Sequence, residues 1–170
     1  MEGVKIYDNT AGVLTNNPPF NMQTFNLNNY INLSPGQPKN TFSSKLELKN
    51  YTKGLGAAGL PGDLSSQSRF VRAVFTKLNS VSGKSEEQSV NQFFHILGSV
   101  SQPRGSNRLD GDKYEITVYT SCCNASDGVY YYTTYGNHRI NAVDIRKVNL
   151  QSDELYRYPH INKESFNKQN

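Results

Sequence analysis

The chain has 170 residues, long enough for a single domain with its own core, and its 18 basic against 14 acidic side chains leave a net charge of +4. The charge is dispersed, which excludes a clustered nucleic-acid footprint, and no stretch approaches the roughly 18 consecutive apolar residues of a membrane-spanning helix. Cys122 and Cys123 are adjacent and poorly placed to bridge each other, so the expectation is a reduced thiol pair in the cytoplasm. The start, MEGVKIYDNT, has no apolar core of a signal peptide.

Taken in chain order, residues 3–15 read as two short strands around an Asp-Asn-Thr-Ala turn, with Val4, Ile6, Val13 and Leu14 as apolar anchors. Asn16-Asn17-Pro18-Pro19 stops the second strand. A helix is predicted over 20–31, with Phe20, Thr24, Leu27 and Ile31 on one face. Residues 33–53 are polar and aperiodic, an extended excursion rather than a core element. Then comes GLGAAGLPGDLSSQSRFVR (54–72), where Gly54, Gly56, Gly59 and Gly62 give way to a helix. Such a loop is costly to order, so a chain keeps one where backbone must pass close to something or a side chain must be held at a set angle.

That helix has Ser65 or Ser66 as N-cap and Phe70, Val71, Val74, Phe75 and Leu78 at helical spacing. After a Ser82-Gly83 turn, Ser85 and Gln88 fit a capping box for a second helix with a buried stripe of Val90, Phe93, Phe94, Leu97 and Val100. The two helices are expected to pair antiparallel. Strand-like runs at 114–121, 129–135 and 139–145 follow, with turns at 124–128 and 136–138, and predict a β-meander. The tail after Tyr158 is polar and expected to be loose. Helices on an antiparallel sheet make an α+β fold.

Familiar enzyme signatures are absent: there is no GxSxG elbow, Walker loop, HExxH or CxxC. His95, His138 and His160 are isolated and read as solvated side chains. Of two adjacent cysteines on a strand one faces inward, which makes the pair a small buried hydrophobe rather than a nucleophile. Two positions stand above this background. Asn16 projects from a strand end and either caps the turn or donates to a developing oxyanion. Arg69 lies on the first turn of the helix after the glycine loop. It either pairs with Asp63 to pin that loop or presents a guanidinium to a thiolate or carboxylate.

VLTNNPPF (13–20), FNLNNY (25–30), the glycine-loop segment (54–72), NQFFHILGSV (91–100), YEITVYTSCCN (114–124) and INAVDI (140–145) together resemble the bile salt hydrolases of the choloylglycine hydrolase and penicillin V acylase family. The resemblance runs from about Val4 to Tyr158. It is closer to the bile salt hydrolases than to the penicillin V acylases through LTNNP, LNNY and SCCN.

It implies half of the αββα sandwich of N-terminal nucleophile hydrolases and cleavage of the amide C–N bond of glycine- or taurine-conjugated bile acids. It also implies a nucleophilic cysteine at the start of the mature chain with its free α-amine as base. Asn16 is implied as an oxyanion donor and Arg69 as the stabiliser of the cysteine site. No cofactor or metal is implied. The excursion at 33–60 resembles the loop through which these enzymes form tetramers.

The departure is at the start. The chain begins Met1-Glu2, so loss of the methionine exposes a glutamate, and neither Cys122 nor Cys123 joins a thiol and an α-amine on one residue. The expectation is therefore a C-terminal half (1–158) with a polar tail (159–170), without its nucleophile and inactive alone. A separately made N-terminal half would be its partner. The alternatives are a penicillin V acylase-type fragment, a non-catalytic assembly module that binds relatives or itself through unpaired sheet edges, or a gene remnant.

Overall fold

The computed structural model describes residues 3–170, so the Met1-Glu2 start lies outside the described residues. The chain divides into two compact units, Met1–Ser80 and Val81–Asn170. The two helices expected to pair fall in different units.

In the first unit the expected hairpin at 3–15 is absent. Only its turn forms, with the Gly12 amide donating to the Asn9 carbonyl at 3.1 Å and Gly12 at φ +60°. A strand needs a neighbouring ladder to take its backbone groups, and the described residues offer none here, leaving Val4 and Ile6 more than nine-tenths exposed. The segment is secured instead on α2 (Ser66–Asn79), where Lys77 Nζ donates to the Ala11 carbonyl at 3.1 Å.

The prolines do end the extended run and start α1 (Phe20–Asn26), because the Pro19 carbonyl accepts from the Met22 and Gln23 amides at 2.9 and 3.1 Å. The helix then tightens into a 3₁₀ turn, Leu27–Tyr30. At three residues per turn, Ile31 rotates off the Phe20–Leu27 face and is exposed, contrary to its expected place on that face. Phe20, Leu27 and Val13 pack against a core of Ala11, Phe70 and Val74, with Phe20 meeting Phe70 edge-on at 6.3 Å. On α2 the expected stripe is buried at Phe70, Val71 and Val74, but Leu78 at its end is exposed.

Residues 33–53 form no helix or strand. Their base is closed by the Ser34 amide donating to the Gly56 carbonyl at 2.9 Å. A Cβ on Gly56 would stand 1.9 Å from the Gly36 carbonyl oxygen and 2.4 Å from that of Ser34. Gly56 is therefore required by a close backbone approach at the base of the excursion.

In the second unit, α3 (Glu86–Gly98) carries the full capping box between Ser85 and Gln88, with Glu86 and Glu87 at the positive end of the helix dipole. Its apolar stripe is only half-buried, since no α3 residue is fully buried. The meander is as expected: β1 (Tyr119–Asn124), β2 (Val129–Thr134) and β3 (Asn137–Asp144) form an antiparallel sheet in order β1-β2-β3. β1 begins later than expected because the residues before it pair elsewhere. The Thr117 amide donates to the Gln102 carbonyl, and Tyr114 bridges Arg108.

Alternation puts Tyr131 on one face of the sheet, where its hydroxyl donates to Glu86 of α3 at 2.7 Å. That carboxylate pushes the Tyr131 hydroxyl up to about 12, keeping it a donor. Tyr130 and Tyr132 stack on the opposite face at 6.1 Å. There, with Tyr119, Val143, Tyr158 and His160, they line an open depression of about 470 Å³.

Contrary to expectation, the tail is bound over residues 161–164. Thr134 Oγ1 donates to the Ile161 carbonyl, the Gly136 amide to Asn162 Oδ1 and Asn137 Nδ2 to the Lys163 carbonyl, at 2.8–2.9 Å. His138 pairs with Glu164 and holds that carboxyl below its ordinary value. The β2–β3 turn offers a row of free donors, and the tail supplies the acceptors.

Candidate active site

Asn16 sits inside the Thr15–Pro18 turn, before a cis Asn17–Pro18 peptide. It is exposed, and among the described residues its side-chain amide has no protein hydrogen-bond partner. The turn around it is tightly held. The Asn17 amide donates to Ser66 Oγ at 3.3 Å, which fastens the turn to the first residue of α2.

Arg69 lies three residues after Ser66 and therefore on the same side of α2. It is half-buried, and its Nε donates to the Leu64 carbonyl at 3.1 Å. Among the described residues its two Nη groups make no protein hydrogen bond. The Asn17–Ser66 bond thus fastens the turn that carries Asn16 to the end of α2 that carries Arg69.

The ion pair between Arg69 and Asp63 does not form. The Asp63 carboxylate accepts from the Ser65 amide at 2.9 Å and from the Ser68 hydroxyl, while Ser65 Oγ caps the helix by accepting from the Ser68 amide at 3.2 Å. Hydrogen bonding from the Ser65 side chain, then from Ser68 and the Ser65 amide, lowers Asp63 from 3.8 to about 2. The cation that pins the loop is Arg72, whose Nη1 donates to the carbonyls of Pro61 at 2.7 Å and Asp63 at 2.6 Å. Arg69 needs no anion of its own for the loop to hold, so its guanidinium edge stays available.

Sequence reasoning missed Gln23, which is fully buried although polar. It lies three residues after Phe20 and four before Leu27, an amide on the apolar face of α1. That position was the available signal. The cysteines lie in the second unit, whereas Asn16 and Arg69 lie in the first. Cys123 is exposed and Cys122 half-buried, and burial, then the neighbouring Cys123, pushes the Cys122 thiol up and away from the thiolate.

The profile of the choloylglycine hydrolase family, described as linear amide C–N hydrolases, matches residues 1–158. The chain belongs to this family. It is 58% identical over 158 residues to a bile salt hydrolase/transferase of Lactiplantibacillus plantarum, covering 93% of this chain and 49% of that protein. A crystal structure of a variant conjugated bile acid hydrolase from Clostridium perfringens superimposes with a TM-score of 0.86 at 39% identity, over 98% of this chain and 50% of that one.

The chain thus spans about half the length of the curated relatives it matches. Its α+β architecture is the corresponding half of that hydrolase fold. A penicillin V acylase from Agrobacterium tumefaciens is more distant. At 21% identity and a TM-score of 0.55, over 79% of this chain and 36% of that one, it shares the fold alone.

Proposed function

We propose that residues 1–158 are the C-terminal half of an amide hydrolase acting on glycine- and taurine-conjugated bile acids, that 159–170 is an appended polar tail, and that the chain works in the cytoplasm. It supplies Asn16 and Arg69 to a site whose nucleophilic cysteine and α-amine base come from the part of the relatives' length outside these 170 residues. In the completed site the thiolate attacks the amide carbonyl carbon, and Asn16 Nδ2 donates to the resulting oxyanion. Collapse of that intermediate breaks the C–N bond. The amine leaves with the proton held by the α-amine, and water then hydrolyses the thioester to bile acid and free thiol. Arg69 Nη groups stabilise the thiolate before attack.

The observation that supports this reading is the Asn17–Ser66 hydrogen bond, which fastens the turn bearing Asn16 to the first residue of the helix bearing Arg69, while among the described residues neither the Asn16 amide nor the Arg69 Nη groups have a protein hydrogen-bond partner. The test mixes this chain with the N-terminal half of the Lactiplantibacillus plantarum relative, adds glycocholate, and measures released glycine. Turnover is expected only from the mixture. Asn16→Ala and Arg69→Ala should each remove most of it, by about a hundredfold for the oxyanion donor. Turnover by this chain alone, or full activity in either variant, overturns the assignment.

A second reading, non-catalytic association, is favoured by the uncovered Tyr119/Tyr130/Tyr132 face and by the exposed excursion loop that resembles a tetramerisation element. Size-exclusion chromatography separates the two. A monomer that ignores a full-length relative argues against association.

A further inference from the structure

Gln23 is the one wholly buried polar side chain of α1, and both ends of its amide leave the helix to grip a single turn. Its Oε1 accepts from the Thr15 hydroxyl at 2.6 Å, and its Nε2 donates to the Pro18 carbonyl at 2.7 Å. Thr15 and Pro18 are the two ends of the four-residue turn, and Asn17, inside it, is fixed by Ser66. Three of the four residues are thus tied to helices, and the fourth is Asn16, whose own amide is unbonded among the described residues.

We infer that Gln23 is a positioning residue: by clamping Thr15 and Pro18 it sets the direction in which the Asn16 amide points. This rests on the proposed role of Asn16 as oxyanion donor. A donor on a bare turn is mobile, and misplacement by about 1 Å can cost on the order of a hundredfold in rate. A helix-borne clamp removes that freedom.

The chemistry of the clamp demands an amide. The Pro18 carbonyl can only accept, so the group facing it must donate. The Thr15 hydroxyl donates to the other end. A flipped amide would set two acceptors against each other, so one orientation alone satisfies both partners. Mere filling of the core does not explain the residue. A methionine occupies similar volume without the desolvation cost of a buried amide, and Gln23 repays that cost only through bonds to this turn.

The test uses two substitutions of Gln23 in the full chain. Gln23→Met keeps the length and loses both bonds. Gln23→Glu keeps the acceptor for Thr15 and loses the donor for Pro18, but regains a donor whenever its carboxyl is protonated. Hydrogen exchange comes first and needs no activity. Both variants should speed exchange of the Asn17 amide at least tenfold at neutral pH while protection in α2 stays unchanged. Should Gln23→Met fail to fold, Thr15→Val removes one of the same bonds from the other side.

In the mixture with the N-terminal half, kcat should fall about thirtyfold or more with KM within about twofold. The Gln23→Glu activity, relative to the unsubstituted chain, should climb as pH falls, whereas that of Gln23→Met should not. Unchanged exchange at Asn17, or kcat within threefold of the parent, or activity lost only in proportion to lost assembly, overturns the inference. Failure of the unsubstituted mixture to turn over counts against the proposed function instead, and the exchange result still decides whether Gln23 orders the turn.

Discussion

Helices α2 and α3 carry equally clear sequence signals and end in different environments. α3 has the better local chemistry, with a complete capping box and two glutamates in its first turn, yet none of its residues is fully buried. α2 has a simple serine cap and no acid in its first turn, yet Phe70, Val71 and Val74 are at most 5% exposed. Local signals decide that a helix forms and where it starts. Burial is decided by what lies opposite. For α2 this is Ala11, Val13, Phe20 and Leu27, whereas α3 rests chiefly on β1, and much of its stripe stays open.

The largest expected effect breaks that comparison at its centre. Phe70→Ala should destabilise the chain by about 3–5 kcal/mol, as for a fully buried aromatic, and Phe93→Ala on α3 by less than about 2 kcal/mol. Denaturant unfolding of both variants measures the difference, and equal losses would mean that the burial contrast has no energetic weight.

Next in size is the glycine loop of the first unit. Gly56→Ala must move the backbone of Ser34 or Gly36 and should cost about 1–3 kcal/mol, with faster exchange at the Ser34 amide. Gly62→Ala meets nothing within 4 Å and should be close to neutral. If the two behave alike, close approach is not what the loop is for.

Smaller again are the caps. Ser85→Ala and Ser65→Ala should each cost about 1 kcal/mol. The contrast lies in where that cost appears. Helix α3 should fray over its first turn, seen as lost protection at Gln88, while α2, held by its buried face, should stay formed to its first residue. Fraying of both would deny that burial compensates for a cap.

The smallest effect is a titration. Asp63 is held at about 2 in the folded chain against an ordinary 3.8, so its contribution to stability is present above about pH 4 and fades as pH falls towards 2. Carbon-13 NMR of the Asp63 carboxyl should show a midpoint near 2, and Asp63→Asn should flatten the acid side of the stability curve. A midpoint at 3.8 would mean that the Ser65 and Ser68 hydrogen bonds do not favour the charged form.

The candidate site was legible in part. Asn16 and Arg69 stood out because each chemical type sits at a marked place in the chain, a blocked strand end and a helix start after glycines. That their two segments are joined was not legible, because the joining bond runs between Asn17 and Ser66, 49 positions apart. Gln23 escaped notice because an amide reads as surface until both of its partners are seen. The glycine loop signals either a close backbone approach or a side chain held at a set angle, and the close approach is the one that occurs. In the structure Gly56 serves the base of the excursion, and Arg72 pins the loop.

The sequence by itself determined what is local: helix starts at Ser65 or Ser66 and at Ser85, the proline stop before Phe20, and the three-stranded meander whose strands are neighbours in the chain. Its motifs also determined the family, since long specific segments in a fixed order carry that information without coordinates. Only the tertiary structure decided the long-range outcomes. The 3–15 run has no ladder partner among the described residues and stays unpaired, the tail binds the β2–β3 turn, and Gln23 fixes the turn that carries Asn16. A cap or a tight turn is settled by neighbours within four residues, whereas burial and positioning depend on groups that only folding brings together.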